Sequence, residues 1–200
     1  MKDWNGNTKS VYATLGASSH SENEREEHDF YSTDPQSLRI FLNEYLKENT
    51  LSHEIWECAC GKGHLSEVLK EYGYDVVSTD LIERGYGVGG VDFLLQDKKI
   101  DMDILTNPPY NKAMEFVEHA LDIQSDGNKT IMFLKIQFLE GQKRLELFKK
   151  YPPKEVHVHS RRQLCFPNGD MSKRISSATC YCWFVWEKGW HGFPQVRWII

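Results

Sequence analysis

A short motif, Asn107-Pro108-Pro109-Tyr110, combines the groups needed to hold a planar amine. Two consecutive prolines restrict the backbone and remove two N–H donors, which leaves the carbonyl of Pro108 to accept a hydrogen bond. Asn107 adds a side-chain carbonyl, and Tyr110 adds an aromatic face on which a base can stack. Two acceptors on a conjugated NH2 group direct its lone pair toward an electrophile, which is catalysis by positioning rather than by a strong base. The motif predicts chemistry on an exocyclic amine; the alternative is a rigid turn between a strand and a helix.

A glycine-containing turn precedes this motif in the chain and carries an acid. Gly61 and Gly63 follow Glu57, and a second acid, Asp80, comes later. The turn is not a phosphate-binding loop, because Ser66 replaces the third glycine of the dinucleotide pattern and no G-x-x-x-x-G-K-[ST] run is present. Asp80 can accept two hydrogen bonds from a ribose diol, and Glu57 would attract an ammonium or sulfonium. These features favour S-adenosylmethionine (SAM) as the ligand; the alternative is a plain strand-to-helix turn.

The elements that must position these groups alternate between strands and helices. Apolar runs predict strands at 55–59, 74–80, 102–106, 130–138, 156–159 and 179–186. Helical spacing of apolar residues predicts helices that begin near Pro35 and at 64–72, 112–123 and 142–151, with Leu145 and Phe148 buried in the last. Strands that alternate with helices imply an α/β fold with a mostly parallel sheet covered on both faces.

The composition is typical of a globular domain. The chain has 200 residues, of which 40% are hydrophobic and 26% charged, and this excludes collagen, a long coiled coil and a wholly disordered chain. No apolar run has the length of a membrane helix, and residues 1–19 lack a secretory signal, so a cytoplasmic location without membrane contact is expected. Residues 1–29 are polar and predict a flexible tail before a single domain at 30–200. The Cys58-x-Cys60 and Cys180-x-Cys182 pairs lie on predicted strands and are expected to be buried thiols, so no metal is expected.

The charge is distributed unevenly along the chain. Residues 1–128 have 11 basic and 24 acidic side chains, a net charge of −13, whereas residues 129–200 have a net charge of +8. A basic C-terminal third favours a polyanionic partner, because Lys and Arg lower the cost of approaching phosphates. The alternative is a solvated basic surface.

Together these residues resemble the class I SAM-dependent methyltransferases that act on amino groups. The Asn-Pro-Pro-Tyr motif is similar to that of adenine-N6 DNA methyltransferases of the small phage and prophage type, over about residues 30–200. The resemblance implies a Rossmann-like sandwich with a mostly parallel seven-stranded sheet and an antiparallel last strand. It also implies SAM as the methyl donor.

The resemblance assigns a role to residues in each motif. Catalysis is assigned to Asn107, Pro108, Pro109 and Tyr110. Cofactor binding is assigned to the segment before the first helix, the glycine turn, the ribose-binding acid, the pair beside the cofactor adenine and the catalytic asparagine. These residues are Tyr31, Thr33, Pro35, Glu57, Ala59, Gly61, Gly63, Asp80, Asp92, Phe93 and Asn107. We expect the target strand to be bound by Arg161, Arg162, Phe166, Lys173 and Arg174, with Trp183 as a second candidate for stacking.

The motif is compatible with more than one class of substrate. The motif also occurs in relatives that methylate RNA adenine or a protein glutamine, and no segment here is long enough to form a separate target-recognition domain. The basic C-terminal third favours nucleic acid, with DNA preferred to RNA. A non-catalytic subunit that binds SAM or nucleic acid is the alternative from another class. The oligomeric state is not predicted.

Overall fold

The computed structural model describes residues 31–167, 175–176 and 179–200. These residues form ten strands, β1 to β10, and four α-helices, α1 to α4. The strands are Tyr31–Thr33, Glu54–Glu57, Asp75–Ser78, Asp103–Thr106, Lys129–Lys135, Glu155–His159, Leu164–Pro167, Ile175–Ser176, Tyr181–Glu187 and Gln195–Ile199. The helices are Pro35–Tyr45, His64–Glu71, Ala113–Ile123 and Gln142–Lys150. The predicted tail at 1–29 lies outside the described residues, as do Lys173 and Arg174.

Seven strands form one sheet in the order β10-β6-β9-β5-β4-β2-β3. Every neighbouring pair is parallel except the two that involve β9, which runs antiparallel to both β5 and β6. The predicted fold class, a mostly parallel seven-stranded sheet with an antiparallel last strand, is confirmed as a class, and the antiparallel strand is β9, the last but one in the chain. One further strand, β10, follows the antiparallel strand and forms an edge of the sheet beside β6.

The sheet separates two apolar layers. Successive side chains of a strand point to opposite faces, and β9 shows this alternation throughout its length. Trp183 and Val185 pack with α1 and α2, whereas Phe184 and Trp186 pack with α3 and α4. Both faces of the central strands are buried, which explains why their sequences are continuous apolar runs.

Two local predictions are wrong. The strand predicted at 130–138 ends at Lys135, and a 3₁₀ turn, Ile136–Leu139, follows it. The Arg144 guanidinium donates hydrogen bonds of 2.8 and 3.2 Å to the carbonyls of Gln137 and Phe138, so these groups bond to α4 rather than to a neighbouring strand. In helix α4, Leu145 is 52% exposed and Leu147 is buried instead, whereas Phe148 packs against the core as expected.

A small antiparallel sheet joins distant parts of the chain. Strand β7 pairs with β1 on one side and with β8 on the other, and Phe166 lies opposite Ser32 in the register. Strand β1 also contacts α2. No helix in the described ranges is both long enough and apolar enough to cross a membrane.

Candidate active site

The two sequence motifs meet at one edge of the sheet. Strands β2 and β4 are parallel neighbours, with Ile55 opposite Asp103 and Trp56 opposite Ile104. Their carboxyl ends therefore lie side by side, and in open α/β sheets ligands bind beyond this edge. We call this side of the sheet the carboxyl edge.

The glycine turn after β2 is fixed by backbone hydrogen bonds. Gly61 and Gly63 have φ values of +56° and +80°, in the left-handed region that glycine adopts without steric cost. The amide of Cys60 donates to the carbonyl of Thr79 over 2.9 Å, which attaches the turn to the end of β3. Gly63 then forms the N-cap of α2.

Gly63 also permits a contact that the sequence does not reveal. The loop at 81–90 returns beside β3 and lays the ring of Tyr86 against Gly63. A Cβ atom at that position would lie 2.4 Å from the ring. The Tyr86 hydroxyl donates to Glu67 over 2.5 Å and accepts from Lys70 over 2.8 Å, both on α2. Sequence reasoning missed Tyr86, because nothing in its local pattern indicates which residue of the loop covers the turn.

Glu57 is buried at the end of β2. Its carboxyl group contacts the hydroxyl of Ser66 in α2, and Ser66 in turn lies 2.7 Å from the hydroxyl of Ser78 at the end of β3. Burial raises the pKa of Glu57 to about 8, and the nearby charge of Asp80 also raises it, whereas the bonds from Ser66 lower it. Near neutral pH this carboxyl group is therefore largely protonated.

Asp80 connects the glycine turn to the loop that follows β3. One carboxylate oxygen accepts from the amide of Gly61 and the other from the amide of Ile82, each over 2.8 Å. The Arg84 guanidinium nitrogen lies 4.0 Å from the same carboxylate. Each carboxylate oxygen has a second lone-pair direction, so these bonds leave Asp80 able to accept from two further donors.

Asp92 and Phe93 lie next along this part of the edge, since the amide of Val91 donates to the carbonyl of Asp80 over 3.0 Å. Asp92 is half-buried and its carboxylate accepts from the amide of Leu94 over 3.0 Å. Phe93 is only 2% exposed. The centre of its ring lies 5.2 Å from that of Trp56, and the ring also packs against two aromatic side chains of α3. Phe93 is thus a core residue in this structure, and its contact with the cofactor adenine stays a prediction.

The catalytic motif forms the turn between β4 and α3. Pro108 is buried, whereas Asn107, Pro109 and Tyr110 are half-buried. The amide of Lys112 donates to the carbonyl of Pro109 over 2.9 Å and closes a 3₁₀ turn, Tyr110–Lys112. The Tyr110 ring is therefore held at the carboxyl edge by the turn that begins α3.

Side chains from the neighbouring strands surround Tyr110. The ring of Tyr181, the first residue of β9, lies 5.9 Å from the Tyr110 ring, and the Lys135 ammonium lies 4.9 Å from its centre. The carboxyl edge thus has two parts. The acidic half comprises the glycine turn, Glu57, Asp80 and Asp92; the aromatic half comprises Asn107, Tyr110, Lys135 and Tyr181.

The segment before α1 is anchored near the same edge. Thr33 is buried, and Asp34 caps α1 by accepting from the amide of Gln36 over 2.9 Å. Pro35 occupies the first turn of the helix. Since β1 contacts α2, this segment lies beside the helix that begins at the glycine turn, as a role in cofactor binding requires.

The residues predicted to bind the target strand are only partly brought together. Arg161 and Arg162 are exposed and follow the carboxyl end of β6, so they lie beyond the carboxyl edge. The backbone of Phe166 lies in β7, next to β1. Trp183 is fully buried in β9 and its indole nitrogen donates to the carbonyl of Ser37, so the expectation that it stacks on a base is wrong.

The chain has the Rossmann-like fold of class I methyltransferases, defined by the sheet order and the single antiparallel strand. A SAM-dependent O-methyltransferase from Thermotoga maritima has this fold, with a TM-score of 0.54 and 12% identity over 82% of this chain and 69% of that chain. A Pyrococcus horikoshii protein provisionally assigned as an RNA methyltransferase superimposes with a TM-score of 0.58 and 12% identity, over 92% of this chain and 99% of that one.

A third neighbour is a subunit of a restriction enzyme by its provisional assignment. It is the modification subunit of a provisionally assigned type I restriction enzyme from Vibrio vulnificus, with a TM-score of 0.53 and 12% identity. The match covers 94% of this chain and 48% of that chain. No protein-family model matches the sequence, and no curated protein is significantly similar to it. At these identities, the neighbours establish the fold.

Proposed function

We propose that this protein is a SAM-dependent methyltransferase that transfers a methyl group to the N6 amine of adenine in DNA. One observation carries the proposal. The turn that contains Asn107 and Tyr110 and the glycine turn after Glu57 end two neighbouring parallel strands, so an amine acceptor site adjoins a nucleoside site at one edge. This is the arrangement that transfer between two bound molecules requires.

The acidic half fits SAM by the chemistry of its groups. Asp80 keeps lone pairs for the two hydroxyls of a ribose, and the absence of a side chain at Gly61 lets a ligand approach the main chain. When bound, SAM supplies an electrophilic methyl group on a positively charged sulfur and leaves as S-adenosylhomocysteine. The proposal includes the other predicted cofactor residues, which are Tyr31, Thr33, Pro35, Glu57, Ala59, Gly63, Asp92, Phe93 and Asn107.

The aromatic half orients the amine. The side-chain carbonyl of Asn107 and the main-chain carbonyl of Pro108 accept hydrogen bonds from the two N6 hydrogens, while the base stacks on Tyr110. These contacts favour a tetrahedral nitrogen whose lone pair is free to form the new N–C bond. The methylated nitrogen then carries a positive charge and releases one proton to water, so no strongly basic side chain is needed before the transfer.

The basic residues support a nucleic-acid substrate. An adenine in a duplex must leave the stack to reach Tyr110, at a cost of about a few kcal/mol. Arg161 and Arg162 lie beyond the same edge, where they can bind the displaced strand, and Phe166, Lys173 and Arg174 are proposed to assist. DNA is preferred because of the resemblance to phage-type enzymes. A neighbour assigned as an RNA methyltransferase and one assigned as the modification subunit of a restriction enzyme both have this fold, so the test includes both polymers.

The test is methyl transfer from labelled SAM to unmethylated duplex DNA and, in parallel, to RNA, followed by nucleoside analysis. N6-methyladenine in DNA is expected. Label in RNA alone would show that RNA, rather than DNA, is the substrate. Bound SAM without label in either polymer would contradict a stand-alone nucleic-acid methyltransferase and favour a subunit that needs a partner.

Asn107→Ala is the variant that tests the catalytic assignment. We expect turnover to fall about 10²–10³-fold, because one acceptor that aligns the amine is lost. The affinity for SAM, measured by calorimetry, should not change. Asn111→Ala is the matched control, since Asn111 is exposed in the turn that begins at Tyr110, and it should keep most of the turnover. An equal loss of SAM binding and turnover in Asn107→Ala would show that the catalytic residue is misassigned.

A further inference from the structure

Lys135 occupies a position in the aromatic half that the catalytic motif does not explain. It is the last residue of β5 and lies opposite Tyr181 in the register with β9. Its ammonium lies 4.9 Å from the centre of the Tyr110 ring, and Tyr181 contacts Tyr110 at a ring distance of 5.9 Å. The ring proposed to stack on the base is therefore in contact with a cation and with another aromatic ring.

The charge of Lys135 is not neutralised by an acid. Within residues 31–167, 175–176 and 179–200, no carboxylate lies within ion-pair distance of its ammonium. Lys112, in the turn that contains Tyr110, differs in this respect because it pairs with Glu115 over 3.3 Å. Lys135 is half-buried, and its ammonium is directed at the carboxyl edge.

The strand order places further positive side chains along the same edge. Strand β9 lies between β5 and β6, so the next cations beyond Lys135 and Tyr181 are Arg161 and Arg162, which follow β6. The acids Asp80 and Asp92 lie on the other side of β4. A polyanion that approached the Lys135 side of the carboxyl edge would meet Lys135, Arg161 and Arg162, whereas on the other side Arg84 already lies 4.0 Å from the carboxylate of Asp80.

We propose that Lys135 is a positioning residue that also selects a nucleotide substrate, an inference that rests on the proposed function. In the free protein its ammonium holds the Tyr110 ring by a cation–π contact. When a base stacks on Tyr110, the ammonium donates to a phosphate oxygen of the same nucleotide. A charge-assisted hydrogen bond to phosphate is stronger than the attraction of a half-buried aromatic ring, so the flexible lysine stem exchanges one partner for the other.

The consequence concerns the class of substrate. A protein glutamine presents the same kind of NH2 group to Asn107 and Pro108 but has no phosphate for Lys135. The residue therefore distinguishes nucleic acid from protein at the acceptor site, and it does so without contacting the reacting nitrogen.

The experiment compares Lys135→Met and Lys135→Arg with Lys129→Met, which removes a lysine from the opposite end of the same strand. Affinity for unmethylated duplex DNA is measured against salt concentration. The slope of log affinity against log salt should fall by about 0.9 in Lys135→Met, the value of one phosphate contact, and stay unchanged in the other two variants. KM for DNA should rise about tenfold with kcat changed less than about twofold, and Lys135→Arg should restore KM.

Each result decides the proposal. An unchanged salt slope in Lys135→Met would overturn it, as would a parallel loss of SAM affinity, which would indicate a structural role. A wild-type protein that binds duplex DNA but transfers no methyl group would contradict the proposed function alone, because the salt slope still reports on Lys135. A protein that methylates a glutamine amide and binds no nucleic acid would overturn both.

Discussion

The acidic and aromatic halves of the carboxyl edge are built in different ways. In the acidic half, Asp80 and Asp92 accept hydrogen bonds from main-chain amides, and the buried carboxyl group of Glu57 contacts the hydroxyl of Ser66. In the aromatic half, Tyr110 is in contact with Lys135 and with the ring of Tyr181. Backbone amides cannot move without distorting the fold, whereas a lysine stem and a half-buried ring can.

This difference matches the two kinds of ligand proposed for the site. A small nucleoside of constant shape can be bound by groups whose positions the fold fixes in advance. A base displaced from a strand brings phosphates and neighbouring nucleotides with it, and side chains that can exchange partners accommodate it. We therefore expect changes in the acidic half to alter the stability of the protein, and changes in the aromatic half to alter substrate binding.

Glu57 gives the largest expected effect on stability. Its pKa of about 8 in the folded protein exceeds the ordinary value of 4.5, so between these pH values the folded state holds a proton that the unfolded state releases. The free energy of unfolding should thus fall as pH rises from about 5 to 8, by up to about 1.4 kcal/mol per pH unit. Glu57→Gln should remove this dependence in urea unfolding at several pH values. Parallel curves for the two proteins would contradict the buried, protonated state.

Gly63→Ala should have the next largest effect. The new Cβ would lie 2.4 Å from the Tyr86 ring at a φ of +80°, so we expect the free energy of unfolding to fall by about 3 kcal/mol. Gly73→Ala is the matched control, because Gly73 has a φ of +87° with no atom near its Cβ position, and it should cost only about 1 kcal/mol. A double-mutant cycle with Tyr86→Ala should recover the steric part. Equal costs at the two glycines would show that Tyr86 does not cover the turn.

The smallest effect on stability is expected on the basic side of the aromatic half. Replacing Arg161 and Arg162 together with Ala should change the free energy of unfolding by less than about 0.5 kcal/mol, because both side chains are exposed. The salt slope of duplex binding should decrease by up to about 0.9 for each arginine. Lys149→Ala with Lys150→Ala, at the end of α4 that precedes β6, is the control and should leave the slope unchanged. A large loss of stability in the arginine variant would contradict the division between the two halves.

The parts of the fold that sequence reasoning recovers are those with a strong local signal. Strand β9 was expected at 179–186 and spans Tyr181–Glu187, because its buried apolar residues form a continuous run. The glycine turn and the Asn-Pro-Pro-Tyr turn were placed at strand ends because glycine and proline restrict where strands and helices stop. The parallel order of the strands then brings the two turns together.

The parts that it misses depend on contacts between distant residues. Strand β10 is an edge strand whose apolar residues Val196 and Trp198 are exposed, so its position depends on its pairing with β6 rather than on burial of an apolar face. The buried face of α4 depends on where that helix packs, and this selects Leu147 rather than Leu145. The position of Tyr86 over Gly63 depends on the path of a loop. In each case the deciding partner is remote in sequence.

The reversed direction of β9 has a consequence for how this fold can acquire new specificities. Strand β6 finishes at the carboxyl edge, and β9 starts there because it runs the opposite way. Both ends of the connection from His159 to Tyr181 therefore lie beside the acceptor site. Its length and sequence can be exchanged between related proteins without changing the register of any strand in the large sheet. A chimaera that carries another protein's connection would keep the large sheet in register, provided that the new segment supplies a partner for β1, which pairs with β7 inside the connection.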